Sequence, residues 1–398
     1  MTASLVWADD LTGAAEAANT WQVSASHEHV RILLGTPERI DPGAAQVWDL
    51  DLRHTSEADA QKAVMAALRR LEPDTRLYFK LDSQLRGPVR AYIGTLLQSG
   101  RPVVLSAANP ALGRITTDGV HQAPRPGGPP VLLPLRSTFA GLPHHHLAAT
   151  EHDRLPALLA AGTPALVTAD VTSAADLDQL AQQVPLAPRT YLAGSAPFLG
   201  ALATTAGSDD RSSCRWPPAT PLPRLLAVLG TTEPAAHGQV RALRDRDPST
   251  TLVTAPATAA PDLVSAAAGQ VRAGFARSAH VVLSAAPPTS SAGHHSPEAM
   301  AALAATCATA LTGVGPEVAL YLSGGHTART VLDRLNLTDL RVLPGPGEAV
   351  ARLITGDGRT ILTKPGSYGG PRTLLDLAAP APAPDPPSPE KDPCSDLP

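Results

Sequence analysis

The sequence predicts a two-domain α/β protein with mostly parallel sheets, and three observations lead to this prediction. Short apolar runs that end in Gly, Asp or Ser open repeatedly into helix-like patterns, which is typical of βα units. The chain has 398 residues, and at roughly 150 residues per domain we expect two domains. A polar, proline-containing segment at residues 203–224 lacks periodicity and separates the apolar runs into two sets.

Each set contains predicted strands that are followed by a turn and a helical pattern. In the first half these strands lie in the segments SLVWADD, RLYFKLDS, RPVVLSAAN, PALVTAD and TYLAGSA. In the second half they lie in the segments RLLAVLGTT, TLVTAP, HVVLSAA, EVALYLSGG and RTILTKPG. Because parallel strands need long crossover connections, this alternation favours a mostly parallel sheet in each half.

The domain boundary is predicted near residue 222, in a linker at about residues 203–224. The amino-terminal domain then spans residues 1–222, and the carboxyl-terminal domain spans residues 223–378. Residues 379–398 are rich in proline and cannot bury enough apolar surface to offset the entropy of ordering, so we expect a disordered tail. We also expect the two domains to close over their ligands about the linker.

The composition excludes several classes of protein. A net charge of -4, a pI near 6.3 and 3% aromatic residues provide no basic surface and few stacking platforms for nucleic acid. No run approaches the roughly 18 apolar residues of a membrane span, and the first residues lack signal-peptide features, so we expect a cytoplasmic protein without membrane partners. The cysteines are far apart, which argues against a disulfide framework or a zinc site.

Two adjacent carboxylates, Asp9 and Asp10, follow the first predicted strand in the motif ADDLTGA at residues 8–14. Ligand sites of open α/β sheets lie outside the carboxyl ends of the strands, so this position predicts a functional site. The alternative is structural, because aspartate is a favoured N-cap and Asp10 directly precedes a helical pattern.

A second charged cluster is predicted in the motif KLDSQLRG at residues 80–87. Lys80 and Asp82 share one face of an extended segment, because side chains alternate with period two, and Arg86 follows in the turn. Arginine suits a bidentate grip on carboxylate or phosphate, lysine neutralises phosphate, and aspartate accepts a proton or binds Mg²⁺. The alternative is a salt-bridged loop that caps the next helix.

Two further polar turns follow strands of the first half. The segment AANPALGRITTDG at residues 107–119 contains Arg114, and either a polar substrate pocket or a surface turn accounts for it. The segment AGSA at residues 193–196 places Gly194 and Ser195 at a helix start, where free N–H groups favour anions. Neither turn decides between function and structure alone.

The second half carries glycine-rich turns. Glycines let the backbone approach phosphate, and the helix after Gly325 directs its positive end to the same place, so the turns predict a phosphate or nucleotide site. The chain lacks the P-loop and dinucleotide-binding patterns, which disfavours a nicotinamide-dependent dehydrogenase. Histidines at 144–146 and 294–295 lack a matching ligand set, so no metal ligand is assigned. The turns are LGTTEP at 229–234, LSGGHTA at 322–328, PGPG at 344–347 and KPGSYGG at 364–370.

Seven motifs follow one another in an order that is typical of one known family. They are ADDLTGA, KLDSQLRG, ANPALGRITTDG, AGSA, LGTTEPAAHGQ, SGGHTA and KPGSYG. Over roughly residues 5–376 the chain resembles the four-carbon acid sugar kinase family. Members of that family are two-domain α/β proteins that use ATP to phosphorylate tetronic acids such as threonate, erythronate or 3-oxo-tetronate. The resemblance implies an amino-terminal domain that holds the sugar acid and a carboxyl-terminal domain that holds the nucleotide.

The resemblance also implies roles for individual residues. The family's usual KxDSTLRG has Thr where this chain has Gln84, its GGDTA has Asp where this chain has His326, and its KSGGFG becomes KPGSYG at residues 364–369. To the sugar-acid side the resemblance assigns Asp9, Asp10, Lys80, Asp82, Arg86 and Arg114. To the ATP side it assigns Thr231, Gly324, Gly325, His326, Thr327 and Gly366.

Together these observations predict two three-layer α/β domains with mostly parallel sheets and an active-site cleft between them. We expect an ATP- and Mg²⁺-dependent kinase for a small sugar acid, in which Asp10 or Asp82 orients or deprotonates the attacked hydroxyl. Arg86 and Lys80 would grip the carboxylate of the acid or the transferred phosphate. The alternative, suggested by His326 and the altered KPGSYG, is a non-catalytic sugar-acid-binding or regulatory homologue with impaired ATP use. The oligomeric state stays open, with a homodimer as one option.

Overall fold

The fold is taken from a computed structural model of the chain. It describes residues 4–24, 30–38, 40–41, 44–125, 128–185, 189–205, 222–288, 295–347 and 350–378. Most of the predicted linker and the whole of the predicted tail lie outside the described residues. None of the helices within these ranges has the length and the apolar surface that a membrane crossing requires.

The amino-terminal half is built around a parallel sheet with helices on both faces. Most of its strands are short, buried and followed by a helix, as the sequence pattern predicts. Its strands are β1 (Ser4–Ala8), β2 (Val30–Leu34), β3 (Ala45–Asp49), β4 (Arg76–Lys80), β5 (Val103–Ser106), β6 (Ile115–Thr117), β7 (Val120–Arg125), β8 (Gly128–Pro134), β9 (His144–Leu147), β10 (Leu166–Ala169) and β11 (Tyr191–Gly194). Its helices are α1 (Leu11–Ser24), α2 (Glu57–Leu68), α3 (Val89–Gln98), α4 (Leu135–Thr138), α5 (Leu155–Ala160), α6 (Ala174–Gln182) and α7 (Ala196–Thr205).

The carboxyl-terminal half has the same architecture. Three of its helices begin with proline in the first turn, where the missing N–H costs nothing. Its strands are β12 (Leu225–Leu229), β13 (Thr251–Thr254), β14 (His280–Ser284), β15 (Ala319–Ser323), β16 (Asp339–Gly347), β17 (Val350–Ile354) and β18 (Thr360–Lys364). Its helices are α8 (Pro234–Arg246), α9 (Pro261–Phe275), α10 (Pro297–Leu311), α11 (Gly325–Arg334) and α12 (Thr373–Ala378).

The two halves share one continuous sheet of 15 described strands. The order β2-β3-β1-β4-β11-β5-β10-β9 forms the parallel amino-terminal part. The order β13-β14-β12-β15-β18 forms a second parallel part, which β17 and β16 extend in antiparallel fashion. β16 then pairs antiparallel with β2, with Leu340 opposite Ile32. The predicted α/β class with mostly parallel strands is confirmed, and the joining of the two parts is a feature that no sequence pattern indicates.

The sequence pattern does not predict five strands of this sheet, namely β2, β3, β9, β16 and β17. β3 ends in Asp49, whose carboxylate is fully buried. A charged residue does not fit the apolar pattern expected of a core strand, so the sequence does not indicate that β3 is one. The PGPG turn predicted at residues 344–347 is wrong, because this segment is the end of β16. The pairing of β16 with β17 shifts register between Leu343 and Gly347, and such a bulge tolerates prolines that lack a ladder N–H.

The core consists of three apolar clusters on the two faces of the sheet. A single cluster covers one face along both halves, with contributions from α1, α7, α9, α10 and α11. Separate clusters cover the opposite face, one around Trp7, Trp48 and Phe79 and the other around Tyr321. Trp7 stacks on Trp48 with their ring centroids 6.1 Å apart. Each half therefore has a helix layer, a sheet layer and a second helix layer.

An ion pair between the halves accompanies the shared sheet. Arg329 of α11 donates from Nη1 to the Asp49 carboxylate at 2.9 Å. The Arg329 side chain is 15% exposed and also binds Asp333 on its own helix at 2.9 Å. Burial raises the pKa of Asp49 to about 7, although the charge of Arg329 opposes this shift. The pair ties α11 to the amino-terminal half through a carboxylate that depends on this arginine for its charge.

We expect Arg329→Met to destabilise the fold by about 3 kcal/mol at pH 8, since removing one partner of a buried ion pair leaves the other charge uncompensated. The loss should be smaller at pH 6. The folded-state pKa of Asp49, about 7, lies above its ordinary value of 3.8. At pH 6 this carboxyl group is therefore mostly protonated in the folded state, so the loss of Arg329 leaves less charge uncompensated than at pH 8. Denaturant unfolding at the two pH values measures both effects.

The matched control for this substitution is Arg334→Met, in the exposed last turn of the same helix. It should change the free energy of unfolding by less than about 0.5 kcal/mol. Equal unfolding midpoints for Arg329→Met and Arg334→Met at pH 8 would contradict the role given to the ion pair.

Candidate functional site

The candidate site lies where the carboxyl ends of strands from both halves meet. Asp10 follows β1, and Gly325 begins α11 soon after β15. A Cβ atom at Gly325 would lie 2.8 Å from Asp10 Oδ2 and 3.1 Å from Thr12 Cγ2. Glycine permits this close approach, which brings the positive end of α11 to the carboxylate. The motifs predicted for the two ligands are therefore neighbours in space.

The adjacent carboxylates of Asp9 and Asp10 share one guanidinium group. Arg53 donates to both oxygens of Asp9, at 2.8 Å from Nη2 and 3.1 Å from Nε, and to Asp10 Oδ2 at 2.5 Å from Nη1. Asp9 is fully buried, and the Arg53 side chain is 10% exposed. Burial raises the pKa of Asp9, and the charge of Arg53 opposes this shift. The guanidinium thus compensates a buried pair of like charges.

Arg53 is a site residue that the sequence analysis does not predict. It follows β3 in the segment AQVWDLDLRHT at residues 45–55. Because β3 is parallel to β1 and next to it, the carboxyl ends of these two strands meet at one edge of the sheet. The signal for Arg53 in the sequence is the apolar pair Val47 and Trp48 followed by charged residues. Without the recognition of β3 as a strand, this signal does not place Arg53 at a strand end.

Asp10 caps α1 and also faces the start of α11. Its Oδ1 accepts the N–H of Gly13 at 2.7 Å, and its carbonyl oxygen accepts the N–H of Ala14 at 2.9 Å, so Asp10 caps α1. Its Oδ2 accepts the hydroxyl of Thr12 at 2.7 Å and faces Gly325. The cap therefore fixes the carboxylate at the junction of the two halves.

Lys80 is buried beneath the start of α1. Its ammonium pairs with Glu16 Oε2 at 2.9 Å and donates to the carbonyl of Leu81 at 3.1 Å. Burial alone would lower the pKa of Lys80, but the charges of Glu16 and Asp9 more than offset this, so its pKa is raised. Glu16 is not predicted from the sequence, in which it is a single acidic residue within the alanine-rich start of α1.

Asp82 and Arg86 form an ion pair in the loop after β4. Arg86 donates from Nε to Asp82 Oδ2 and, at 3.3 Å, from Nη2 to Oδ1. Burial would raise the pKa of Asp82, but the hydrogen bond from Arg86 and the charge of Arg53 hold this pKa well below its usual range. The Arg86 side chain is 60% exposed and that of Asp82 is 7% exposed. The predicted salt-bridged loop is present, and it leaves a guanidinium accessible.

The structure brings Lys80, Asp82 and Arg86 together only in part. The charge of Lys80 acts on Asp82, yet the ammonium and the carboxylate have different partners. β4 ends at Lys80, so the alternation of side chains that predicts a shared face stops there.

Arg114 lies beside the same loop. It donates from Nη1 to the hydroxyl of Ser83, and His121 Nε2 bonds the carbonyl of Ser83 at 2.8 Å. Main-chain pairing between Asn109 and Arg114 closes the turn that leads into β6. The turn at residues 107–119 therefore packs against the loop that holds Asp82.

At residues 193–196 the polar groups of Ser195 are already engaged by the protein. The N–H of Ser195 already donates to the carbonyl of Ser106 at 3.0 Å, and its hydroxyl donates to the carbonyl of Ala108 at 2.5 Å. Ser195 is 1% exposed. Gly194 serves packing, because a Cβ there would lie 1.9 Å from the Ser106 carbonyl oxygen.

Three glycine turns meet in the carboxyl-terminal half. A Cβ at Gly230 would lie 2.6 Å from Thr327 Oγ1, and one at Gly324 would lie 3.4 Å from Thr231 Cβ. A Cβ at Gly366 would lie 2.5 Å from Thr231 Oγ1. The turns after β12, β15 and β18 thus form one cradle of close-packed backbone and threonine hydroxyls, which is the kind of surface that phosphate groups bind.

Lys364 ends β18 beside this cradle and is 1% exposed. Its ammonium donates to the carbonyls of Pro365 at 2.9 Å and Gly366 at 3.1 Å. Burial lowers the pKa of Lys364 to about 8, and the charge of Glu233 opposes the shift. In the part of the chain that the structure describes, no carboxylate lies within ion-pair distance of this ammonium. A buried cation of this kind suits an anionic ligand.

His326 is exposed and follows Gly325 at the start of α11. Its ring packs edge to face with that of His54, with the centroids 6.3 Å apart. His54 follows Arg53, and burial together with the charges of Arg53 and His326 lowers the pKa of His54. Two imidazoles from the two halves therefore lie at the position where the resemblance implies a carboxylate.

His144 and His146 are hydrogen-bonded to side chains of the neighbouring strand β10 and the residue after it. His144 and His146 both bond Thr168 Oγ1 at 2.8 Å, and His146 also bonds Asp170 at 2.9 Å. Across the described ranges, no group of three or more His, Cys, Asp or Glu side chains could hold a metal ion. His294 lies outside the described residues.

Comparison with known domain families divides the chain as the two parts of the site do. Residues 4–164 match the family described as a sugar-binding N-terminal domain, and residues 226–374 match the family described as a nucleotide-binding C-terminal domain. Asp10 lies in the first match and Gly325 in the second. None of the curated proteins compared with this chain matches it.

Solved structures share the fold over nearly the whole chain. A Salmonella typhimurium LT2 protein, provisionally described as a tRNA synthase, has a TM-score of 0.73 at 18% identity, covering 94% of this chain and 98% of its own. A Haemophilus influenzae protein from a family of unknown function has a TM-score of 0.66 at 18% identity, with the same coverage. At this identity the likeness concerns the fold alone. The sugar-binding and nucleotide-binding domains in this order show that the chain belongs to the four-carbon acid sugar kinase family.

Proposed function

We propose that this protein is an ATP-dependent kinase that phosphorylates a hydroxyl group of a four-carbon sugar acid of the threonate, erythronate or 3-oxo-tetronate type. The observation that carries the proposal is the packing of Gly325 against Asp10, which is so close that an added Cβ at Gly325 would lie 2.8 Å from Asp10 Oδ2. This contact joins the part of the chain that matches a sugar-binding domain to the part that matches a nucleotide-binding domain. Phosphoryl transfer depends mainly on positioning the two substrates and stabilising charge, which a junction of this kind supplies.

The proposed ATP site is the glycine cradle. Close-packed glycines and the N–H groups at the start of α11 would contact the phosphates, and the buried ammonium of Lys364 would neutralise their charge. The positive end of α11 would stabilise charge that develops during transfer. The residues proposed for this site are Thr231, Gly324, Gly325, His326, Thr327 and Gly366.

The proposed sugar-acid site is the charged cluster of the amino-terminal half. Arg86 is the accessible guanidinium there, so we assign it the bidentate grip on the substrate carboxylate, with Arg114 beside it. Asp10 and Asp82 are each held by an arginine, and we assign them the orientation of substrate hydroxyls. Lys80 is too buried for direct contact, so its proposed role is to hold Glu16.

Mg²⁺ is proposed to arrive with the phosphates of ATP. It prefers oxygen ligands, yet the carboxylates of Asp9, Asp10 and Asp82 are all engaged by arginines, and His326 offers only nitrogen. These described residues do not fit a protein cage for Mg²⁺. We therefore assign the ion no protein ligand.

Purified protein supplied with Mg-ATP should release ADP when a four-carbon sugar acid is added and not in its absence. The panel consists of threonate, erythronate and 3-oxo-tetronate, and a coupled assay measures ADP. A four-carbon polyol without the carboxylate is the matched substrate control, with kcat/KM lower by about 10²-fold or more because Arg86 would lose its partner. Folded protein that releases no ADP with any of the acids would contradict the kinase function.

Gly325→Ala should lower kcat/KM by about 10- to 100-fold, because the new methyl group would push Asp10 and Thr12 away from the start of α11. Gly238→Ala is the matched control within α8, where a Cβ would contact nothing within 4 Å. It should keep the wild-type rate and gain a few tenths of a kcal/mol in stability. Equal activity of the two variants would show that the junction is not the reaction site.

The second candidate function is that of a sugar-acid-binding protein that does not use ATP, and the imidazole of His326 at the start of α11 is the observation that favours it. Titration calorimetry separates the two functions. For a kinase we expect ATP to bind with a Kd clearly below about 1 mM. ATP binding at or above that value, together with tight binding of a tetronic acid, would favour the binding protein.

A further inference from the structure

Two exposed imidazoles, one from each half, meet beside the contact between Asp10 and Gly325. His54 lies in the loop between β3 and α2, directly after Arg53, and His326 directly follows Gly325 at the start of α11. The two rings pack edge to face with their centroids 6.3 Å apart. Both residues are exposed, so a dissolved ligand can reach them.

The nitrogens of both rings are available to a ligand. Within the part of the chain that the structure describes, neither ring has a hydrogen bond or an ion pair with another residue. A neutral imidazole has one donor and one acceptor, and both of its nitrogens are donors when the ring is protonated. Two rings this close can both donate to a single phosphoryl group.

The surroundings of His54 disfavour its protonated form. Burial lowers the pKa of His54, and the charges of Arg53 and His326 add to this shift. The carboxylates of Asp10 and Asp51 oppose it. An anion beside the two rings would change this balance, because a nearby negative charge favours a protonated imidazole. Binding of an anion at the pair should therefore be accompanied by the uptake of protons.

Four other cationic side chains around the junction already have carboxylate partners. Among them Arg86 is accessible, and it is assigned to the carboxylate of the sugar acid. A phosphoryl group that lies between the two substrates therefore needs positive charge from another source, and the imidazoles lie at this place. The pairs are Arg53 with Asp9 and Asp10, Lys80 with Glu16, Arg86 with Asp82, and Arg329, one turn of α11 after His326, with Asp49.

We propose that His54 and His326 hold the γ-phosphoryl group of ATP between the two halves, each as a protonated imidazole that donates a hydrogen bond to it. The inference rests on the proposed function, which brings this group to the start of α11. The protons come from solvent when ATP binds. Charge-assisted hydrogen bonds stabilise the negative charge of the group, also during its transfer. His326 then has a role that requires no protein ligand for Mg²⁺.

The number of protons taken up on ATP binding tests the proposal directly. Titration calorimetry at about pH 7.5, in two buffers that differ in ionisation enthalpy, measures this number. Mg²⁺ is present and no sugar acid is added, so that the phosphoryl group is not transferred. We expect ATP to take up about one to two protons more than ADP, which lacks the γ-phosphoryl group. Equal uptake with ATP and ADP would overturn the proposal.

His54→Asn and His326→Asn each keep a polar side chain and remove the titratable ring. We expect the Kd for ATP to rise about 10- to 100-fold in each variant, with the Kd for ADP within about twofold of wild type. The excess proton uptake should fall in both. His145→Asn is the matched control, because His145 is exposed on β9 at one edge of the sheet, and it should change none of these values.

A purely structural contact between the two rings gives a different result. The variants would then weaken ATP and ADP binding equally, or leave both unchanged, and either outcome would contradict the role in holding the γ-phosphoryl group. Unfolding midpoints equal to that of the wild type show that each variant is folded.

The proposal also predicts the dependence of ATP affinity on pH. Because the rings gain protons in the complex, the Kd for ATP relative to that for ADP should rise between about pH 6.5 and 7.5. Lys364, whose pKa is about 8, stays mostly charged in this range. Both variants should show a smaller rise. If either histidine were instead a general base, kcat/KM would fall towards acid pH, and this limb would disappear in the variant.

Failure of the proposed function and failure of this inference have different outcomes. Wild-type protein that releases no ADP with any of the acids would reject the kinase function and the inference with it. Turnover by the wild type, together with an unchanged Kd for ATP in both variants, would reject the inference alone.

Discussion

The buried guanidinium of Arg53 is the interaction on which the site depends. Two carboxylates that follow one another along the chain repel, and in a buried position one of them would be driven to its protonated form. The planar fork of an arginine can serve both, which a lysine cannot do with its single ammonium. Arg53 reaches them only because β3 lies beside β1. The geometry of the motif ADDLTGA is therefore a property of the strand order as much as of the motif.

Helix α1 contacts functional candidates in both halves of the molecule. It begins with the cap formed by Asp10, carries Glu16 above Lys80, and presents Asn19 to the carboxyl-terminal half. The same helix packs on α11, whose Arg329 reaches back to the end of β3. Groups that the sequence places in separate domains thus contact one another through two helices, and the position of each half constrains the site of the other.

The local patterns of the sequence predict the βα units well, and they predict the site where it follows a recognised strand. Asp9, Asp10 and the glycine cradle lie at strand ends for this reason. Arg53 could not be predicted, because it follows a strand that ends in a buried aspartate and is not recognised from the sequence. Glu16 could not be predicted, because only the folded structure brings it next to Lys80. The pairing of β16 with β2 is a contact between distant segments, about which local periodicity carries no information.

The pairing of β16 with β2 also decides how the molecule can move. A rigid-body hinge about residues 203–224 would have to break main-chain hydrogen bonds between these strands, together with the ion pairs from Arg31 to Asp339 and from Arg329 to Asp49. A change in the twist of the sheet keeps all of them. A single continuous sheet therefore couples the two halves through its backbone, so that a change in its twist would displace both of them.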